Sequence, residues 1–185
     1  MSSGIDALNL QPLSPQDAEY IRVIRLLGQN KDAEALAIIR PLAEKGNAAA
    51  QNTLGMLYAQ GKGVPQDDRQ AVFWYQKAAD TVPEAAFNLG GYYLYGMGGL
   101  PVQPEKTVEL WEKASTDSKQ PFATAMMDLG ILYMNGADGV PPDQKRAVRL
   151  IERAAQAGLA RAQDELARLY LDGVGKQQSD KQAFE

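Results

Sequence analysis

The chain has 185 residues, 45% of them apolar and 23% charged, enough for one domain with a sizeable core, and it holds no apolar run near the roughly 18 residues of a membrane span. It has neither cysteine nor histidine, which excludes disulfides, thiolate nucleophiles and cysteine metal sites, and removes the commonest general base and metal ligand. Nineteen basic against 23 acidic residues leave a net charge of −4, which repels a phosphate backbone and argues against nucleic acid as a partner.

Residues 1–13 carry no periodicity and read as a flexible N-terminus. Ser14-Pro15-Gln16-Asp17 supplies an N-cap, a proline at the first helical position and an acid in the first turn, so a helix is predicted from Pro15 to about Leu27. After Gly28-Gln29-Asn30, the string DAEALAIIRPLAEKG reads as its partner, with a kink expected at Pro41. Together 14–46 read as a capping helix pair.

From Asn47 onward the chain repeats itself. Leu54, Leu89, Leu129 and Leu166 stand 35, 40 and 37 residues apart, and each is preceded four residues earlier by Ala50, Ala85, Ala125 or Ala162. One residue later come Gly55, Gly90, Gly130 and Ala167, four later Tyr58, Tyr93, Tyr133 and Tyr170, and seven later Gly61, Gly96, Gly136 and Gly173. These offsets fall on one face of a helix, so alanine, leucine and tyrosine read as core and the last glycine as a left-handed helix end. A Gly/Pro loop follows, then a second helix opened by an acid (Asp67 or Asp68, Glu105, Asp143, Asp180) and closed by a base (Lys77, Lys113, Arg153), as the helix dipole favours. Runs of Val, Ile and Thr with period two are missing. The fold class expected is all-α.

The strings LGMLYAQGKGVPQDDRQAVFWYQKAA, LGGYYLYGMGGLPVQPEKTVELWEKAS and LGILYMNGADGVPPDQKRAVRLIERAA resemble Sel-one-like repeats, a branch of the tetratricopeptide-like solenoids. The resemblance covers Asn47 to Glu185 and divides into units 47–82, 83–119, 120–158 and 159–185. It implies a right-handed α-solenoid of antiparallel helix pairs. The second unit departs in its loop, where Leu100-Pro101 replaces Gly-Val-Pro, and the fourth stops about a turn into its second helix, which reads as trimming from a longer protein. A bacterial periplasmic or envelope setting is favoured over the cytoplasm on that reading.

A stacked solenoid leaves a concave inner surface that such proteins generally use to bind other proteins. Offsets −5, −2, +2, +5 and +6 from each motif leucine lie opposite the core face, and in the middle repeats they are apolar where solvent is expected. Two explanations stay open for Met56, Phe87, Tyr95, Met127 and Ile131: packing between adjacent first helices, or a groove for an apolar peptide or protein loop. Leu94, Met134 and Leu171 share an offset and read as packing. Asn52, Gln60, Asn88 and Asn135 form a polar rim suited to a partner backbone, and Arg161, Asp164, Arg168 and Asp172 are spaced for surface ion pairs. The partner-binding set is therefore Asn52, Met56, Phe87, Tyr95, Met127, Ile131 and Asn135, and the exposed last repeat offers an end for stacking on a second copy.

Catalytic signals are weak. Ser2, Ser3, Ser14, Ser115, Ser118 and Ser179 lie in no G-x-S-x-G string, Gly61-Lys62-Gly63 lacks P-loop spacing, and Asn135 to Gly139 lacks the acids of a calcium loop. The expectation is a non-catalytic adaptor for a protein or peptide, without metal or cofactor. The resemblance admits a second branch, an immunity protein that occludes a secreted toxin such as a type VI phospholipase effector. A hydrolase subunit using a carboxylate pair such as Asp67-Asp68 is the reading from a different class.

Overall fold

The computed structural model describes residues 14–116 and 122–174. Among them are nine helices: α1 (Pro15–Gly28), α2 (Asp32–Glu44), α3 (Ala48–Gln60), α4 (Asp68–Ala78), α5 (Pro83–Tyr95), α6 (Pro104–Thr116), α7 (Ala123–Asn135), α8 (Gln144–Gln156) and α9 (Ala160–Leu171). The molecule is an all-α solenoid in which each helix packs chiefly on the one before and the one after it. Residues 1–13, Ser118, Ser179 and the second helix of the fourth repeat, with Asp180, lie outside the described residues.

Local chemistry sets the helix ends. Ser14 closes a capping box on α1: its hydroxyl accepts from the Asp17 amide at 3.2 Å while the Asp17 carboxylate accepts from the Ser14 amide at 3.2 Å. Asp67 and Asp143 cap α4 and α8 through their side chains. Helix α2 continues through Pro41 to Glu44. Gly61 and Gly96 take the left-handed conformation at the ends of α3 and α5. Gly136 departs from that expectation: its φ is +73° but its ψ is 171°, so the chain leaves α7 extended and makes a small turn bridged between Ala137 and Val140.

The loops differ in length yet close in one way. The amides of Asp67, Gln103 and Asp143 donate to the carbonyls of Tyr58, Tyr93 and Tyr133 at 3.0, 2.8 and 2.7 Å. The Leu100-Pro101 loop of the second repeat therefore returns the chain to the same place as its neighbours.

The core is a string of clusters. Val23, Ile39, Leu42, Leu54 and Trp74 join α1 to α4; Val72, Tyr75, Leu89 and Leu110 join α4 to α6; Trp111, Leu129, Leu132, Ile151 and Leu169 join α6 to α9. Each aliphatic side chain so buried contributes roughly 1.5–3 kcal/mol. The motif alanines Ala50, Ala85, Ala125 and Ala162 are fully buried, and the motif glycines admit the second helix: a Cβ on Gly55, Gly90 or Gly130 would meet Tyr75, Trp111 or Ile151 at 2.9, 2.5 or 2.8 Å.

The motif tyrosines are less internal than their spacing suggests. Tyr133 is buried, whereas Tyr58, Tyr93 and Tyr170 are half-buried. Hydroxyls of this face tie three of the first helices to the preceding helix: Tyr133 donates to Glu112 and Tyr170 to Glu152, both at 2.9 Å, and Tyr58 accepts from Arg40 at 3.1 Å. A phenol at the edge of a core keeps its polar tip on a partner while its ring packs.

Candidate functional site

On the face formed by the first helices, α5, α7 and α9 enclose a cleft of about 310 Å3. Leu94 and Tyr95 come from the last turn of α5, Trp111 from α6, Asp128, Ile131 and Asn135 from successive turns of α7, and Arg161 from the first turn of α9. A second cleft of about 380 Å3 shares Ile131, Asn135 and Arg161 and runs on past Met134 to Asp164 and Arg168. The two form one groove with an apolar floor and a charged rim.

Four of the residues expected from spacing line this groove: Tyr95, Met127, Ile131 and Asn135. Tyr95 is 71% exposed, Asn135 is exposed and Ile131 is half-buried at the junction of both clefts. Met127 also borders the second cleft, although it is only 2% exposed and belongs to the buried core cluster. Phe87 is also a packing residue. Its ring stacks on Trp111 at 5.4 Å and meets Phe122 edge-on at 5.2 Å, and its carbonyl accepts from the Trp111 indole at 2.9 Å. Asn52 and Met56 are half-buried on α3 and line neither cleft. Leu171, expected to pack, is 63% exposed.

Asp128 escaped the spacing argument. Its offset of −1 lies outside the positions taken for the inner face, yet it is the single charged residue of α7, and that signal was available. Burial pushes its carboxyl above the ordinary value of 3.8, and the Arg161 guanidinium at 3.8 Å acts in the opposite sense. The ion pairs of α9 follow the spacing argument only in part, through Arg168 and Asp172. Arg168 pairs with Glu165 and Asp172, whereas Arg161 reaches across to α7 and not to Asp164.

The repeat landmarks now stand on helices whose pairing they explain, and a family model for the Sel1 repeat matches residues 48–80, 83–118, 123–159 and 160–185. The chain belongs to the Sel1 repeat family. Among solved structures it is similar to a Sel1 repeat protein from Oxalobacter formigenes, with 32% identity and a TM-score of 0.77 over 88% of this chain and 65% of that one. It is similar also to c5321, a protective antigen of uropathogenic Escherichia coli with an SLR fold, at 32% identity and a TM-score of 0.80 over 91% of this chain and 36% of that one. A Sel1 repeat protein from Klebsiella pneumoniae shares the fold at 20% identity, with a TM-score of 0.52 over 83% of this chain and 77% of that one. The chain thus spans just under two thirds of the first of these proteins and about a third of the second. A comparison with curated proteins finds no match.

In this Sel1 repeat chain the carboxylate pair suggested for hydrolysis is engaged structurally. Asp67 accepts from the amides of Arg69 and Gln70, and Asp68 accepts from the Tyr92 hydroxyl at 2.9 Å. A wider recess of about 790 Å3 opens at the loop edge beside Glu105, Pro142 and Arg146. Its central polar groups are committed to each other: Tyr133 and Arg146 both bond Glu112, Arg146 lies 4.6 Å over the Tyr133 ring, and Asp143 caps α8. Among the described residues, no helix is long and apolar enough to cross a membrane.

Proposed function

We propose that this chain is a non-catalytic protein-binding module whose concave face, along α5, α7 and α9, takes a segment of a partner protein. One observation carries the reading: Tyr95, Ile131 and Asn135, picked out by helical spacing alone, line a single cleft, with an exposed aromatic at its mouth and an aliphatic floor. Interfaces favour rigid amphipathic anchors such as tyrosine, and an amide beside them supplies backbone hydrogen bonds. The rigid helix pairs beneath limit the ordering entropy lost on binding. Sel1 repeat proteins generally mediate protein–protein interaction, which agrees with this role.

The test is capture of a partner from a lysate of the native host by the wild-type chain, followed by affinity measurement with Tyr95→Ala and Asn135→Ala. Both side chains are exposed, so both variants keep the fold. A hot-spot tyrosine is worth about 2 kcal/mol or more, so Tyr95→Ala weakens the partner roughly thirtyfold or more. Equal affinity for all three proteins would move the binding surface elsewhere. A captured toxic enzyme whose activity the chain blocks would select the immunity branch over the adaptor.

A further inference from the structure

The two charged residues of the first cleft are unequally exposed. Asp128 projects from an otherwise uncharged helix, and its side chain keeps only 26% of its surface. Among the described residues its one charged partner is Arg161, whose side chain is 69% exposed and whose guanidinium stands 3.8 Å away, beyond hydrogen-bond reach. The other guanidinium of the rim, Arg168, is engaged on both sides by Glu165 and Asp172. Asp128 therefore faces a single, loosely held cation, Arg161. A carboxylate that has lost part of its water and gained no hydrogen bond is poised for a cation from outside.

Resting on the groove reading above, we infer that the cleft between α5, α7 and α9 receives an arginine side chain of the partner segment. Its aliphatic stem lies on Leu94 and Ile131, its guanidinium meets the Asp128 carboxylate, and the exposed Tyr95 ring covers it. Arginine suits each element better than lysine, because its planar fork matches a carboxylate, stacks on an aromatic face and is weakly hydrated. The volume of about 310 Å3 is at the small end of ligand pockets and suits one side chain better than a folded surface. Charge complementarity extends beyond the cleft, since the whole chain carries −4. The elevated carboxyl pKa of Asp128 has the same physical origin, its partial burial.

The experiment uses the full chain and three small probes, N-acetyl-arginine amide, its uncharged isostere N-acetyl-citrulline amide, and N-acetyl-glutamate amide, each titrated while backbone amide shifts are followed by NMR. The expected result is saturable movement at Asp128, Ile131, Asn135 and Gly136 with the arginine probe alone. Asp128→Asn weakens it at least about tenfold. Arg161→Ala, which removes the competing cation, tightens it severalfold. Equal response to citrulline, unchanged binding to Asp128→Asn, or a response to the glutamate probe that Arg161→Ala abolishes would each overturn the assignment, the last in favour of an anion site. With the captured partner the two readings separate. Affinity lost in Tyr95→Ala but unchanged in Asp128→Asn keeps the groove and removes the arginine, whereas no loss in either removes the groove.

Discussion

The indole of Trp111 lies so close to Gly90 that a methyl group on that glycine would sit 2.5 Å from the ring. The same indole donates to the Phe87 carbonyl at 2.9 Å, so one side chain fastens α6 to α5 at two points a turn apart. It also forms a wall of the cleft below Tyr95, which couples the stability of the second repeat to the shape of the candidate site.

This contact separates two adjacent glycines. Gly90→Ala forces the indole to move and costs about 1–3 kcal/mol by overpacking. Gly91 has nothing within 4 Å of its would-be Cβ, so Gly91→Ala gains up to about 1 kcal/mol of helix propensity. Urea denaturation of the two variants reads both signs.

Burial decides which groove substitutions are informative. Phe87→Asp and Met127→Asp place a charge among Trp111, Phe122 and the α7 core and unfold the middle repeats, at a cost of about 3 kcal/mol or more. Tyr95→Ala leaves the melting temperature within about 2 °C of wild type, because an exposed side chain adds about 0.5 kcal/mol at most. Circular dichroism melts check both, and similar loss of fold in all three would contradict the burial pattern.

Asp128 makes the free protein less stable than it could be. Its folded pKa lies above the unfolded value of 3.8, so the stability it permits is fully present below that value and declines as pH rises through the folded pKa. Asp128→Asn does not titrate. At neutral pH the variant is therefore more stable than wild type, and the advantage vanishes below about pH 3.8. Paired thermal melts at the two ends of that range test it.

At the other end of the scale, burial pushes Tyr75 and Tyr133 up to about 12, and raises Tyr92 as well, with the neighbouring carboxylates Asp68 and Glu112 adding to the effect. Folded values above the ordinary 10.0 give stability that is complete below pH 10 and is lost as pH climbs towards 12. Alkaline titration of phenolate absorbance shows a late group of tyrosines, and Asp68→Ala moves part of it to lower pH.

Much of this molecule is legible in one dimension. The capping box at Ser14, the caps at Asp67 and Asp143, the Ala-Leu-Tyr face in four copies and the Gly-ended helices are local or periodic facts, and a helix periodicity of 3.6 fixes which residues face a neighbour. A solenoid suits such reading because each repeat contacts mainly the next. Spacing alone brought Tyr95, Ile131 and Asn135 to one face. What it left open was depth. Phe87 shares that face with Tyr95, but Trp111 and Phe122 close over it, while Tyr95 reaches past the last turn of α5 into solvent. Met127 lies only one turn from Ile131 and borders the second cleft, yet packing into the core cluster leaves it 2% exposed. The pairing of Asp128 with Arg161 links residues 33 apart on α7 and α9, and only the stacking of one repeat on the next sets that distance. Periodicity determines direction from a helix axis; how far a neighbouring helix stands from that axis is decided by the side chains between them, here by indole on glycine.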